Sequence, residues 1–106
     1  MRSGALSKIL GAAALLGLAL SAAAEGDPQA GKSKSETCMG CHGVKSYRNA
    51  YPTYHVPKLA GQHADYILIA LQGYKYGLRS HNTMHANASE LSDEDMLDIA
   101  AYFSQQ

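Results

Sequence analysis

Cys38-Met39-Gly40-Cys41-His42 is the stretch on which the reading of this chain turns. A C-x-x-C pair serves as a redox-active dithiol, as half of a zinc site, or, when a histidine follows directly, as a haem attachment site. The dithiol use needs alternating strands and helices around it, and the chain shows no such pattern. Zinc needs two further ligands; His81 and His85, four apart, are candidates, but zinc leaves His42 unexplained. A Cys38–Cys41 disulfide closes too short a loop to stabilise much. On a helix, Cys38, Cys41 and His42 stand at i, i+3 and i+4 and share one face. From that face two thioethers can hold a porphyrin edge while the imidazole of His42 reaches the iron. The haem reading accounts for all three residues.

Upstream, residues 1–24 read as an address rather than as structure. Arg2 and Lys8 precede an uncharged apolar run from Ile9 to Leu20, and Ala22-Ala23-Ala24 offers an A-x-A cleavage site before Glu25. This is the pattern of a secretory signal peptide, and the run is short of the roughly 20 apolar residues that a spanning helix needs. The expected domains are therefore a leader over 1–24 and an exported domain over 25–106. Without Arg2 and Lys8, seven Lys+Arg face nine Asp+Glu. Such a balance has no basic stripe and excludes nucleic-acid binding by phosphate neutralisation. A domain this short buries only about 60% of its unfolded surface. A covalent haem would supply the missing apolar mass.

Downstream, periodicity predicts helices. Asp27-Pro28 reads as an N-cap followed by proline at the first helical position, opening a helix that runs into Cys38. Over 61–77, Ala64, Ile67, Leu68, Leu71 and Tyr74 recur at helical spacing and Gly77 is a natural stop. The last helix starts at Ser92, with Asp95 at the capping-box position, a Leu91–Met96 staple, and a stripe of Met96, Ile99, Ala100 and Phe103. No stretch alternates with period two, so no real sheet is expected. Segments 43–60 and 78–90 read as long loops.

C-M-G-C-H at 38–42, P-K-L-A-G-Q at 57–62 and L-S-D-E-D-M-L-D-I-A-A-Y-F at 91–103 together resemble class I cytochrome c. The likeness is to the single-haem periplasmic type, similar to one domain of the two-haem periplasmic cytochromes. It implies an all-α fold, with three main helices and long loops wrapped around one covalent haem c. It also implies residue roles: thioethers at Cys38 and Cys41, His42 as proximal ligand, and Pro57 as the carbonyl that accepts from its imidazole. The sixth ligand would be Met84, seven residues before the L-S-D of the last helix. Met1 falls in the leader, Met39 between the cysteines and Met96 inside a helix, which leaves Met84 on a loop able to fold over the haem. His81 and His85 flank it as rival ligands. Tyr47, Tyr51, Tyr54 and His55 crowd the segment between His42 and Pro57 and are expected to pack over the haem edge; the other reading gives Tyr51, Tyr54 or Arg48 a role in holding the propionates.

His/Met ligation leaves no open position on the iron, so the expected function is one-electron transport in the periplasm rather than catalysis. Partners would be redox proteins docking transiently near the haem edge, with Lys45, Lys58, Lys75 and Arg79 candidates for that face. No stable membrane insertion follows once the leader is removed. Two alternatives stand beside this one. The chain is a cytochrome subunit of a periplasmic oxidoreductase such as a sulfur-compound dehydrogenase, or, if Met84 does not bind, an open-site sensor or peroxidase-like enzyme. Peroxide chemistry is disfavoured because no arginine stands beside His55 or His85 in the sequence.

Overall fold

The computed structural model describes residues 25–106, and the leader read over residues 1–24 lies outside the described residues. Asp27 caps the first helix as expected, its side chain accepting from the Gln29 N–H with Pro28 at the first helical position. That helix does not run on to the cysteines. It ends as α1 (Pro28–Lys34), and α2 (Glu36–His42) begins beyond Ser35, whose ψ of 2° departs from helical geometry. The Ser35 N–H is shared between the Gly31 and Lys32 carbonyls, the tightening usual at a helix end. Its hydroxyl is fully buried with no hydrogen-bond partner. A buried unpaired hydroxyl costs about 1–3 kcal/mol, so Ser35→Ala should raise stability by about 1 kcal/mol. A lower urea midpoint for that variant would show that the hydroxyl is needed.

The segment after α2 is not a plain loop. Strands β1 (Arg48–Ala50) and β2 (Thr53–His55) pair antiparallel, with Arg48 opposite His55 and Asn49 opposite Tyr54. The tip is a cis Tyr51-Pro52 peptide, braced by the Asn49 side chain on the Pro52 carbonyl at 2.7 Å. Strands of three residues are too short to show alternation in the sequence. Helix α3 (Ala64–Lys75) fills the inner part of the expected 61–77 stretch. Gly61 and Gly77 flank it at φ of 81° and 78°, a left-handed conformation that favours glycine.

The second expected loop is also structured. Helix α4 (Asn82–Ser89) spans H-N-T-M-H-A-N-A-S from its second residue, so Met84 stands in a helix and not on a loop. Its composition is polar and its cap is His81, which lies outside the usual set of capping residues. Helix α5 (Asp93–Ser104) carries the expected capping box, with Ser92 and Asp95 bonded reciprocally at 3.0 Å.

Ile67 and Leu71 of α3 pack against Met96, Ile99, Ala100 and Phe103 of α5, with Cys38, Met84 and Leu91 half-buried against them. Helices α1 and α5 cross closely. A Cβ on Gly31 would lie 1.9 Å from the Asp98 carbonyl oxygen, and one on Gly26 would lie 2.0 Å from that of Leu97. Buried Asp98 locks the crossing, accepting from the Asp27 N–H at 2.7 Å and from Lys34 Nζ at 2.6 Å. Lys34 also reaches Asp95 at 2.9 Å. The ammonium and the amide hold Asp98 below the usual carboxylate range, and Lys34 with the Ser92 cap lowers Asp95 to about 2. The all-α class stands, with a two-stranded hairpin as the only sheet among the described residues. No described helix is long and apolar enough to cross a membrane.

Candidate functional site

The end of α2 opens onto a cleft of about 330 Å³, the lower end of the range of small-molecule sites. Cys38, Cys41 and His42 line one wall, and Met84 lines it from α4. Positions i, i+3 and i+4 of α2 put the two sulfurs and the imidazole on the same side. Both cysteines are free thiols. Burial pushes the Cys38 thiol up, away from the thiolate that a redox-active dithiol needs.

His42 Nδ1 lies 2.7 Å from the Pro57 carbonyl oxygen. A carbonyl only accepts, so Nδ1 carries the proton and Nε2 keeps its lone pair. Pro57 lies in the irregular segment between β2 and α3, and it also lines the cleft.

The two histidines around Met84 are placed differently. His81 lines the cleft, but its Nδ1 accepts the Met84 N–H at 3.3 Å as the cap of α4. Its ring stands edge-on to Tyr54, centroids 4.7 Å apart. His85 turns to α3, where its Nδ1 donates to the Tyr74 carbonyl at 2.8 Å, and it does not line the cleft. The pair does not converge, and among the described residues no group of three or more His, Cys, Asp or Glu is gathered as a metal site. Zinc therefore lacks its further ligands.

Other expectations need correction. Tyr51 is 95% exposed at the hairpin tip, away from the cleft. Arg48 is spent on its cross-strand neighbour, its Nη2 donating to His55 Nε2. That contact also puts an arginine beside a cleft histidine, which sequence neighbours did not reveal because the hairpin creates it. Tyr54 does enter the cleft, and its hydroxyl reaches Thr83 of α4 at 3.3 Å. Lys75 donates to the Leu91 carbonyl and so ties α3 to the start of α5.

Arg79, Tyr66 and Tyr74 form a cleft edge that the sequence reading missed as a unit. The signal was present in the i, i+8 spacing of the tyrosines on α3, but only the turn after α3 folds Arg79 back over them. The lining as a whole contains Lys58 and Arg79 and no carboxylate. Apolar walls from Val56, Leu59, Ile67 and Leu71, two free thiols beside an imidazole, and a cationic rim fit a flat apolar cofactor that bears carboxylates.

The comparisons agree with that fit. The cytochrome c family profile matches residues 28–106. Cytochrome c4 of Pseudomonas aeruginosa is 42% identical over 91 residues, 86% of this chain but only 44% of the relative. Cytochrome c-554(548) of Halomonas halodenitrificans is 43% identical over 84 residues, 76% of this chain and 98% of the relative. The cytochrome subunit of sulfide dehydrogenase from Chlorobaculum tepidum is 32% identical over 73 residues, 69% of this chain and 63% of the relative. The chain thus spans less than half of the cytochrome c4 relative and nearly all of the c-554(548) one. With a cleft built for a covalently held haem and a family match running from α1 to the last residue, the chain belongs to the cytochrome c family and its cofactor is haem c.

Proposed function

We propose that this protein is an exported, periplasmic one-electron carrier whose haem c is attached through Cys38 and Cys41 and ligated by His42 and Met84. The observation that carries the reading is that these four side chains line one cleft. The cofactor supplies one-electron exchange between ferrous and ferric iron, and thioether ligation with burial favours the reduced form.

The chain's own residues do the rest. Pro57 fixes the His42 tautomer, so Nε2 is the ligating nitrogen, and the hydrogen bond at Nδ1 raises its basicity. Met84 presents its thioether from a helix packed on α3, half-buried against the core. His81 is held back from competing because its Nδ1 caps α4, and His85 faces the other way. Two protein ligands leave no seat for a substrate, which makes transport rather than catalysis the sensible use. The leader read over residues 1–24 supports export, and the domain 25–106 is then the working unit.

Absorption spectra of purified wild type and Met84→Ala test this. We expect haem c bands in both and a weak red sulfur-to-iron charge-transfer band in the wild type alone. A low-spin wild type without that band points to His81, and a high-spin one sinks the carrier reading. The relative named as a sulfide dehydrogenase subunit supports a second reading, a permanent subunit of an oxidoreductase. Co-purification with a partner at a fixed ratio would select it.

A further inference from the structure

Helix α4 is weakest at the end that carries Met84. Its eight mostly polar residues make a helix that is marginal by itself, and its one buried residue, Ala88, lies in the last turn. Met84 stands in the first turn, where backbone N–H groups have no partner within the helix. Its own N–H is the donor that the cap takes up, bonding to His81 Nδ1 at 3.3 Å.

The His81 ring is in turn held between two others. The Tyr54 ring of β2 meets it edge-on with centroids 4.7 Å apart, and the Tyr74 ring of α3 does so at 6.3 Å. Both separations fall in the range of favourable edge contacts. The Tyr54 hydroxyl also donates at 3.3 Å to Oγ1 of Thr83, the residue before Met84. Tyr54, Tyr74, His81, Thr83 and Met84 all line the cleft. Three elements thus meet at one imidazole, and clamping that cap fixes the first turn of α4 from which Met84 projects.

We propose that the hairpin braces the methionine: Tyr54, backed by Tyr74, wedges the His81 ring and so positions Met84 in the cleft. Tyr54 and His81 are positioning residues, since each acts on Met84 through the backbone of α4. The inference rests on the His42/Met84 reading above. Thioether ligation favours ferrous iron, so by linkage ferric iron holds Met84 less firmly, and the brace matters most in the oxidised protein. Without it Met84 leaves the iron more often, and an added ligand meets a larger competent fraction.

The test is imidazole binding to the oxidised holoprotein at fixed pH, followed by loss of the red charge-transfer band, with amide exchange at Met84 beside it. Imidazole takes the position that Met84 vacates: an iron–sulfur bond breaks, an iron–nitrogen bond forms, and no electron moves. In Tyr54→Ala the loss of one ring contact and one hydrogen bond should raise the apparent imidazole affinity roughly tenfold and speed exchange of the Met84 N–H. Tyr54→Phe keeps the ring and should stay within about threefold of the wild type. His81→Asn supplies a good cap without a ring, so it should raise the affinity although the cap is kept. Asp98→Asn, which loosens the α1–α5 crossing and not α4, should bind imidazole as the wild type does.

Wild-type affinity in Tyr54→Ala or His81→Asn, a Tyr54→Phe as open as Tyr54→Ala, or an equal rise in Asp98→Asn overturns the brace while the carrier reading stands. A wild type without the red band overturns the Met84 reading and this one with it. If Tyr54→Ala does not accumulate as holoprotein, His81→Asn decides by the same measurement: a raised affinity supports the wedge, and a wild-type affinity overturns it.

Discussion

Gly31→Ala should destabilise the domain by about 3 kcal/mol, the upper end of what an overpacked contact costs. The sign is informative because intrinsic propensity points the other way: alanine is about 1 kcal/mol better than glycine in a helix interior. The clash wins because the new methyl would meet backbone, the Asp98 carbonyl oxygen at 1.9 Å, and a carbonyl inside α5 cannot rotate aside. Helices α1 and α5 would have to separate, loosening the bonds that Asp98 makes to Asp27 and Lys34. Since α2 follows α1 with one residue between, the attachment helix would shift as well. Against a total of about 5–15 kcal/mol for a folded domain, such a loss is large. Urea unfolding of the holoprotein measures it, and a midpoint at or above the wild-type value would refute the crossing as the controlling contact.

The second large effect is on acid stability. Asp98 and Asp95 have folded-state acidities lowered by Lys34 and by backbone amides, Asp95 to about 2. A carboxyl lowered on folding stabilises the fold above its unfolded pKa, and the gain is lost as pH falls through the folded value. The domain should hold its stability down to about pH 4 and lose it between there and about pH 2. Lys34 is raised by the same contacts, so its contribution is present below its unfolded value and is lost only in strong alkali. Asp98→Asn keeps the shape but removes the charge. It should lower stability at pH 7 by about 2 kcal/mol, the worth of hydrogen bonds to an ionised acceptor, and flatten the acid branch. An unchanged acid branch would place the sensitivity elsewhere.

The parts of this protein that repeat a local rule were legible in its sequence. The cap of α5 at Ser92, the stripe from Met96 to Phe103, and the glycines flanking α3 each follow from a periodicity or a backbone preference. The C-x-x-C-H run was legible because its spacing matches a helix face. Helix α4 was not, since its residues are polar and its cap is a histidine. The hairpin was not, because three-residue strands carry no pattern. Asp98 could have been suspected from its place among Met96, Ile99 and Ala100 on a buried face. Its partner Lys34, 64 residues away, is set by packing.

The hairpin, finally, is the part of the described domain that is held most lightly. Its only hydrogen bond to the rest of the domain, among the described residues, is Tyr54 to Thr83 at 3.3 Å, beside the edge-on contact with His81. One hydrogen bond of that kind contributes roughly 1 kcal/mol, and a ring contact adds about as much. The frame of α1, α3 and α5 is held by a buried core and a locked crossing. Swinging the hairpin outward is thus far cheaper than unfolding the frame. Amide hydrogens of Arg48–His55 should therefore exchange with solvent well before those of α3 and α5, and equal protection across the three would show that the hairpin is held by more than this one strut.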